Sequence, residues 1–176
     1  MIVLGIDQSL TGSGVSIIDI DGIIEIDGIQ GKQLIKSTKK GVKRLIDIKN
    51  QILVLNDKFK PDYVAMEGYG FMTKGRAFEL GELGGMLKVM FTELGKEPMI
   101  IHPSHLKKYI TGKGNADKSI MLMGIYKKYG IEFDNHNIAD SFGISKMALD
   151  IMLARQGKKN RKDFNKEEWD VIRGYI

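Results

Sequence analysis

Three acidic residues stand where a chain of this kind concentrates chemistry. Asp7 closes the apolar run of residues 2–6, Glu67 closes a second short run of residues 63–66, and Asp140 follows Ile138 and Ala139 at the start of an apolar-periodic stretch. The end of a short buried strand is the sheet edge at which α/β folds place their sites. A carboxylate left bare there costs several kcal/mol, so it calls for a cation or a cage of hydrogen bonds. Each acid also has an ordinary reading. Asp7 can cap a turn, Glu67 can meet solvent at a strand end, and Asp140 can lie in a first helical turn behind Asn137 as N-cap. Together, carboxylates brought to one edge are close enough to share a divalent cation.

The elements that would bring them together follow from hydrophobic period. Residues 2–7 and 15–20 read as a β-hairpin around a Gly/Ser/Thr turn, and residues 23–29 alternate apolar with acidic as a third antiparallel strand after Asp21-Gly22. Residues 31–41 are polar, Lys-rich and aperiodic, which predicts a loop. Leu45, Ile48, Ile52, Leu55 and Phe59 recur at three- and four-residue spacing, which predicts an amphipathic helix over Val42–Phe59, stopped by Lys60-Pro61-Asp62. If that helix is a right-handed crossover, the strand ending in Glu67 lies parallel to the one ending in Asp7, and both acids leave the same edge.

Residues 68–73 form a Gly-flexible loop whose Tyr69 and Phe71 can stack on bases or fold into the core. A long helix follows, with Leu80, Leu83, Leu87, Met90 and Leu94 as one stripe on the sheet. Gly81, Gly84 and Gly85 weaken that helix and call for the close approach of a partner or of the sheet. Met99–Ile101 is a fifth strand. Residues 102–118, with Lys107, Lys108, Lys113 and Lys118, read as a flexible cationic segment suited to phosphates. The Gly112–Lys118 region lacks the Gly-Lys-Ser ending and the leading strand of an ATP loop. His102, His105 and His136 lack the cysteines or the paired Glu of a zinc site and are read as bonding loop backbone. Residues 119–129 and 134–155 are helical. Five of the eight residues 155–162 are basic, a mobile arm or solvated tail, with a terminal helix over 166–173.

The 176 residues suffice for one domain with a sizeable core, placed at 1–154, with a basic C-terminal tail at 155–176. The absence of cysteine suits a reducing compartment, and no apolar run reaches membrane-spanning length, so a cytoplasmic protein without a membrane partner is expected. The net charge of +5 is segregated: residues 1–31 hold five acids and no Lys or Arg, and the other 145 residues carry +10. An acidic patch in a basic body is what a metal-dependent enzyme acting on a polyanion needs.

Four blocks carry a resemblance. Gly5-Ile6-Asp7 with Thr11-Gly12-x-Gly14-Val15, then Glu67, then Thr111-Gly112-Lys113-Gly114-Asn115-Ala116-Asp117-Lys118, then Ile138-Ala139-Asp140-Ser141 resemble, in that order over roughly residues 1–150, the RuvC family of Holliday-junction resolvases. Charge and size suggest the phage-encoded type, which would act in a host cytoplasm. The resemblance implies an α/β, RNase H-like fold: a five-stranded mixed sheet, three antiparallel strands then two parallel, flanked by helices. It implies a homodimer and Mg²⁺-dependent paired nicking of four-way DNA junctions that leaves 5′-phosphate and 3′-hydroxyl ends, with no nucleotide cofactor. Two Mg²⁺ ions per site are implied, with Mn²⁺ able to substitute. Carried over by position, Asp7, Glu67 and Asp140 are metal ligands, and Lys118 joins them in catalysis. Lys107 and Lys118 match basic residues that contact DNA, and Phe71, one residue displaced, matches the aromatic that stacks at the junction centre; Lys113, Tyr69 and Arg76 are further candidate DNA contacts.

Two departures from the family pattern stand out. Asn137 replaces an Asp or His, and coordinates only through a neutral carbonyl unless His136 or Asp134 substitutes. Gln8 replaces a Pro. Rival readings are a related RNase H-fold nuclease acting on flap or branched DNA or on RNA, and a catalytically weak junction-binding protein. The opening hairpin is also similar to that of the actin, hexokinase and Hsp70 kinases, which need two such domains.

Overall fold

The computed structural model describes residues 1–69 and 77–176. Strands β1 (Val3–Asp7), β2 (Ser13–Ile18), β3 (Glu25–Ile26), β4 (Ile29–Gln30) and β5 (Lys32–Ile35) precede helix α1 (Val42–Phe59). Then come β6 (Tyr63–Glu67), α2 (Ala77–Glu93), β7 (Met99–Ile101), α3 (Pro103–Thr111), α4 (Lys118–Tyr129) and α5 (His136–Arg155). A 3-10 turn at Arg161–Asp163 leads to α6 (Lys166–Ile172). The main sheet has the order β5-β2-β1-β6-β7, with β5, β2 and β1 antiparallel and β1, β6 and β7 parallel.

The third antiparallel strand is not the one expected. Residues 23–29 do not run straight through, because Asp27 and Gly28 both take positive φ (52° and 73°) and turn the chain in a tight hairpin joining β3 to β4. An Asp-Gly pair is the residue choice for a turn with two left-handed positions. The strand that pairs with β2 is β5, within the stretch read as a loop, with Ser13 opposite Ile35 and Ser16 opposite Lys32.

The alternation of side chains along β1 divides the core into two layers. Leu4 and Ile6 face α1 and α2, where the predicted stripe Leu45, Ile48, Ile52, Leu55 and Phe59 is buried. Val3 faces α5 together with Ala65 and Ile101. In α2, Leu83, Leu87 and Met90 are buried, whereas Leu94 lies past the helix end and is exposed. Its glycines split by face: a side chain on Gly84 would strike Gln8 and Tyr69, but Gly81 and Gly85 have open space beside them.

Three further differences have clear causes. The cationic segment after β7 contains helix α3, started by the His102 side chain accepting from the Ser104 N–H with Pro103 at the first position and ended by left-handed Gly112. The N-cap of α5 is Asn135, not Asn137: the Asn135 side chain accepts from the N–H groups of Asn137 and Ile138. Seven of the eight residues 155–162 are exposed, but the residues that follow dock on the core. Phe164, Val171 and Ile172 are buried in the α5-side core, and Asn165 starts α6 with a reciprocal capping box to Glu168.

Helix α5 lies directly on the sheet because two strand positions have no side chain. A methyl group on Gly5 would overlap the Ser141 carbonyl, and one on Gly14 would overlap the Asn137 carbonyl. Ser16 and Ser141 hydroxyls bond at 2.9 Å across this seam. Replacing Gly14 by Ala therefore forces α5 off β2. We expect Gly14→Ala to lower the unfolding free energy by about 2–4 kcal/mol, read as a fall in the urea midpoint.

Candidate active site

β1 and β6 are parallel neighbours in the register Ile6 opposite Met66, so Asp7 and Glu67 emerge side by side from the same sheet edge. Asp140 reaches that edge from α5, whose start is tied to the β1–β2 turn by the Asn137 Nδ2 donating to the Gly12 carbonyl. All three acids line one cleft of about 560 Å³, shared with Gln8, Tyr69, Lys107, Lys118 and Asn137.

The electrostatics of the cleft are set by crowding. Asp7 is 7% exposed, and burial, then the charges of Glu67 and Asp140, hold its pKa well above the usual carboxylate range. Burial and the Asp140 charge push Glu67 up to about 7. Burial also raises Asp140, with Lys118, His136 and Lys107 pulling the other way. Asp7 and Glu67 are in hydrogen-bond contact, so this pair holds a proton more readily than either acid alone. Asp140 faces the pair within electrostatic reach. Among the described residues, no three His, Asp or Glu side chains are gathered at metal-binding distance. The arrangement is a close carboxyl pair with the third acid on the same cleft.

The other expected site residues divide by place. Lys107, from α3, and Lys118, the first residue of α4, line the cleft and act on the acids. Asn137 lines it too. His136 acts on Asp140 by charge without lining the cleft. Asp134 is exposed and outside it. Lys113 is exposed on a neighbouring groove between α3, α4 and α6. Tyr69 borders the cleft, but its hydroxyl donates to the Gly81 carbonyl at 3.2 Å and the Lys88 ammonium sits 4.7 Å over its ring. Phe71 and Arg76 lie outside the described residues.

Gln8 is a cleft residue to which sequence reasoning gave no site role. Its Nε2 donates to the Glu67 carbonyl at 3.2 Å, which clasps the two acid-bearing strand ends together. Its Oε1 is buried against Gly84 with no hydrogen-bond partner among the described residues. The one signal in the sequence was its place, a long polar side chain directly after a strand-end acid.

The family model for crossover junction endodeoxyribonuclease RuvC matches residues 3–145. A RuvC from Prochlorococcus marinus (strain NATL1A) is 31% identical over 133 residues, covering 69% of this chain and 79% of that protein. One from Parvibaculum lavamentivorans is 28% identical over 162 residues, covering 90% of this chain and 89% of that protein. Among solved structures, T. thermophilus RuvC in complex with Holliday junction substrate superposes with a TM-score of 0.70 at 21% identity, over 89% of this chain and 96% of that one. The matched span runs from the strand ending in Asp7 to the helix carrying Asp140, and the chain belongs to the RuvC family of crossover junction endodeoxyribonucleases.

Proposed function

We propose that the protein resolves four-way DNA junctions by divalent-metal-dependent hydrolysis of one phosphodiester in each of two opposed strands. The observation that carries this reading is the convergence of Asp7, Glu67 and Asp140 on one cleft walled by Lys107 and Lys118. Paired nicks with 5′-phosphate and 3′-hydroxyl ends, action in the cytoplasm, and branched DNA as substrate belong to the same reading. No helix among the described residues is long and apolar enough to cross a membrane.

The donor set fits Mg²⁺, a hard ion that takes carboxylate and amide oxygens, and Mn²⁺ suits the same ligands. Burial raises the pKa of all three carboxyl groups, and repulsion from neighbouring carboxylates adds to it for Asp7 and Glu67, which favours a cation at the cleft. Asp7, Glu67 and Asp140 would hold the metal. Asn137, whose Nδ2 is engaged by Gly12, would offer its Oδ1 as a neutral ligand. When bound, two Mg²⁺ ions supply a nucleophilic water at neutral pH and charge neutralisation at the phosphate.

The chain's own residues do the rest. Lys118 neutralises charge that develops on the reacting phosphate, and Lys107 holds the strand from α3. Gln8 fixes the spacing of the two strand ends through the Glu67 carbonyl. Tyr69 borders the same opening, and on this reading it contacts unstacked bases together with Phe71 and Arg76. Lys113, one groove away, meets a phosphate farther along an arm.

Two simultaneous nicks need two sites, hence a homodimer. The outward face of α2 suits a second copy: Phe78 is 90% and Val89 58% exposed, with Gly81 and Gly85 open between them.

Asp7→Asn should lower junction nicking by more than about 100-fold while leaving junction affinity in Ca²⁺ unchanged; loss of binding would make Asp7 structural. The raised carboxyl pKa values mean that folding takes up protons between the ordinary glutamate value and about 7. Stability of the metal-free protein should therefore fall as pH rises through that window. Glu67→Gln should raise the urea midpoint in EDTA at pH 8 and change it little at pH 4.5. Phe78→Asp should halve the mass seen by sedimentation and convert paired nicks into single ones.

A further inference from the structure

The last residues of the chain lie beyond the span matched by the family model, yet they are bonded to the wall of the cleft. The Tyr175 hydroxyl accepts from the His102 backbone N–H at 3.2 Å and lies 2.9 Å from the His105 Nδ1. The same oxygen thus serves two partners at the start of α3, and the direction of its bond with Nδ1 follows the imidazole tautomer. The two rings meet edge-on at 5.7 Å. Arg155, the last residue of α5, grips the Tyr175 carbonyl through Nε and Nη2. Farther along, the Lys108 ammonium pairs with Asp170 at 3.3 Å.

These contacts all fall on one side of α3. His105 and Lys108, three apart, face the C-terminal residues, while Pro103, Leu106 and Lys107 line the cleft on the adjacent face. His102 is also the point where β7 passes into α3, beside Gly68, whose N–H donates to the Ile101 carbonyl at 2.7 Å. A hydroxyl fixed at the first turn of a nine-residue helix therefore sets the angle at which that helix presents Lys107.

We propose that Tyr175 is a positioning residue: its hydroxyl, braced by Arg155 at the far end of α5, locks α3 so that Lys107 faces the carboxylates. The role of Lys107 in cleavage rests on the nuclease reading above, whereas the brace itself does not.

The experiment compares Tyr175→Phe, Lys107→Ala and the double variant with the wild-type chain in Mg²⁺ on a four-way junction. Tyr175→Phe keeps the ring packing and removes only the hydroxyl. Its nicking rate constant should fall about threefold to tenfold, with junction affinity in Ca²⁺ within about twofold. In the Lys107→Ala background the same change should have no further effect. Amide exchange over residues 103–111 should quicken by a similar factor, with β1 unchanged. Equal losses with and without Lys107 would overturn the proposal in favour of general stabilisation, and so would unchanged exchange in α3. A wild-type chain that fails to nick would overturn the nuclease reading instead, leaving the brace to be judged on exchange alone.

Discussion

Three carboxyl groups in one cleft repel each other, and burial takes away the water that would otherwise screen them. Asp7 and Glu67 meet at the ends of adjacent parallel strands, Asp140 faces them from α5, and all three have raised pKa values. Lys107 and Lys118 offset part of that cost from the walls. An arrangement of this kind is held by the rest of the fold, and a divalent cation is the partner its charge favours.

The scaffold that holds it is built from close approach. Gly5 and Gly14 let α5 sit against the backbone of β1 and β2, the Ser16–Ser141 bond pins the seam, and Asn137 ties the helix start to Gly12. Gly84 does the same for α2 on the opposite face, where it admits the side chains of Gln8 and Tyr69. One sheet edge is thus fixed from both layers, which gives the acids a spacing that flexible loops alone would not hold. The walls are fixed too: α3 and α4, which supply Lys107 and Lys118, are capped helices rather than a free basic loop.

Family membership and site geometry converge on the same chemistry from independent directions. The family model spans the acid-bearing elements, and the cleft places those acids beside basic walls suited to a phosphate backbone. Of the five acids in residues 1–31 only Asp7 lines the cleft, so the charge asymmetry of the sequence does not itself mark the site; Lys107 and Lys118 reach Asp7 from far along the chain.

Sequence alone determined the features that depend on local period and residue type. The α1 stripe was legible because burial on one face imposes a 3.6-residue rhythm, and the β1 and β6 runs with their strand-end acids because strands buried on both faces read as short continuous apolar runs. The third strand was misplaced because the positive-φ pair Asp27-Gly28 turns the chain inside what looked like continuous alternation. Helix α3 was missed because its lysines hid a short apolar face that has meaning only once Leu106, Tyr109 and Ile110 meet α5 and α6. The docking of residues 164–172, the clasp by Gln8, the bond from Tyr175 and the division of α2 glycines between an inner and an outer face were decided by tertiary structure. Each depends on which distant surface a side chain meets, and the order of residues along a chain does not carry that distance.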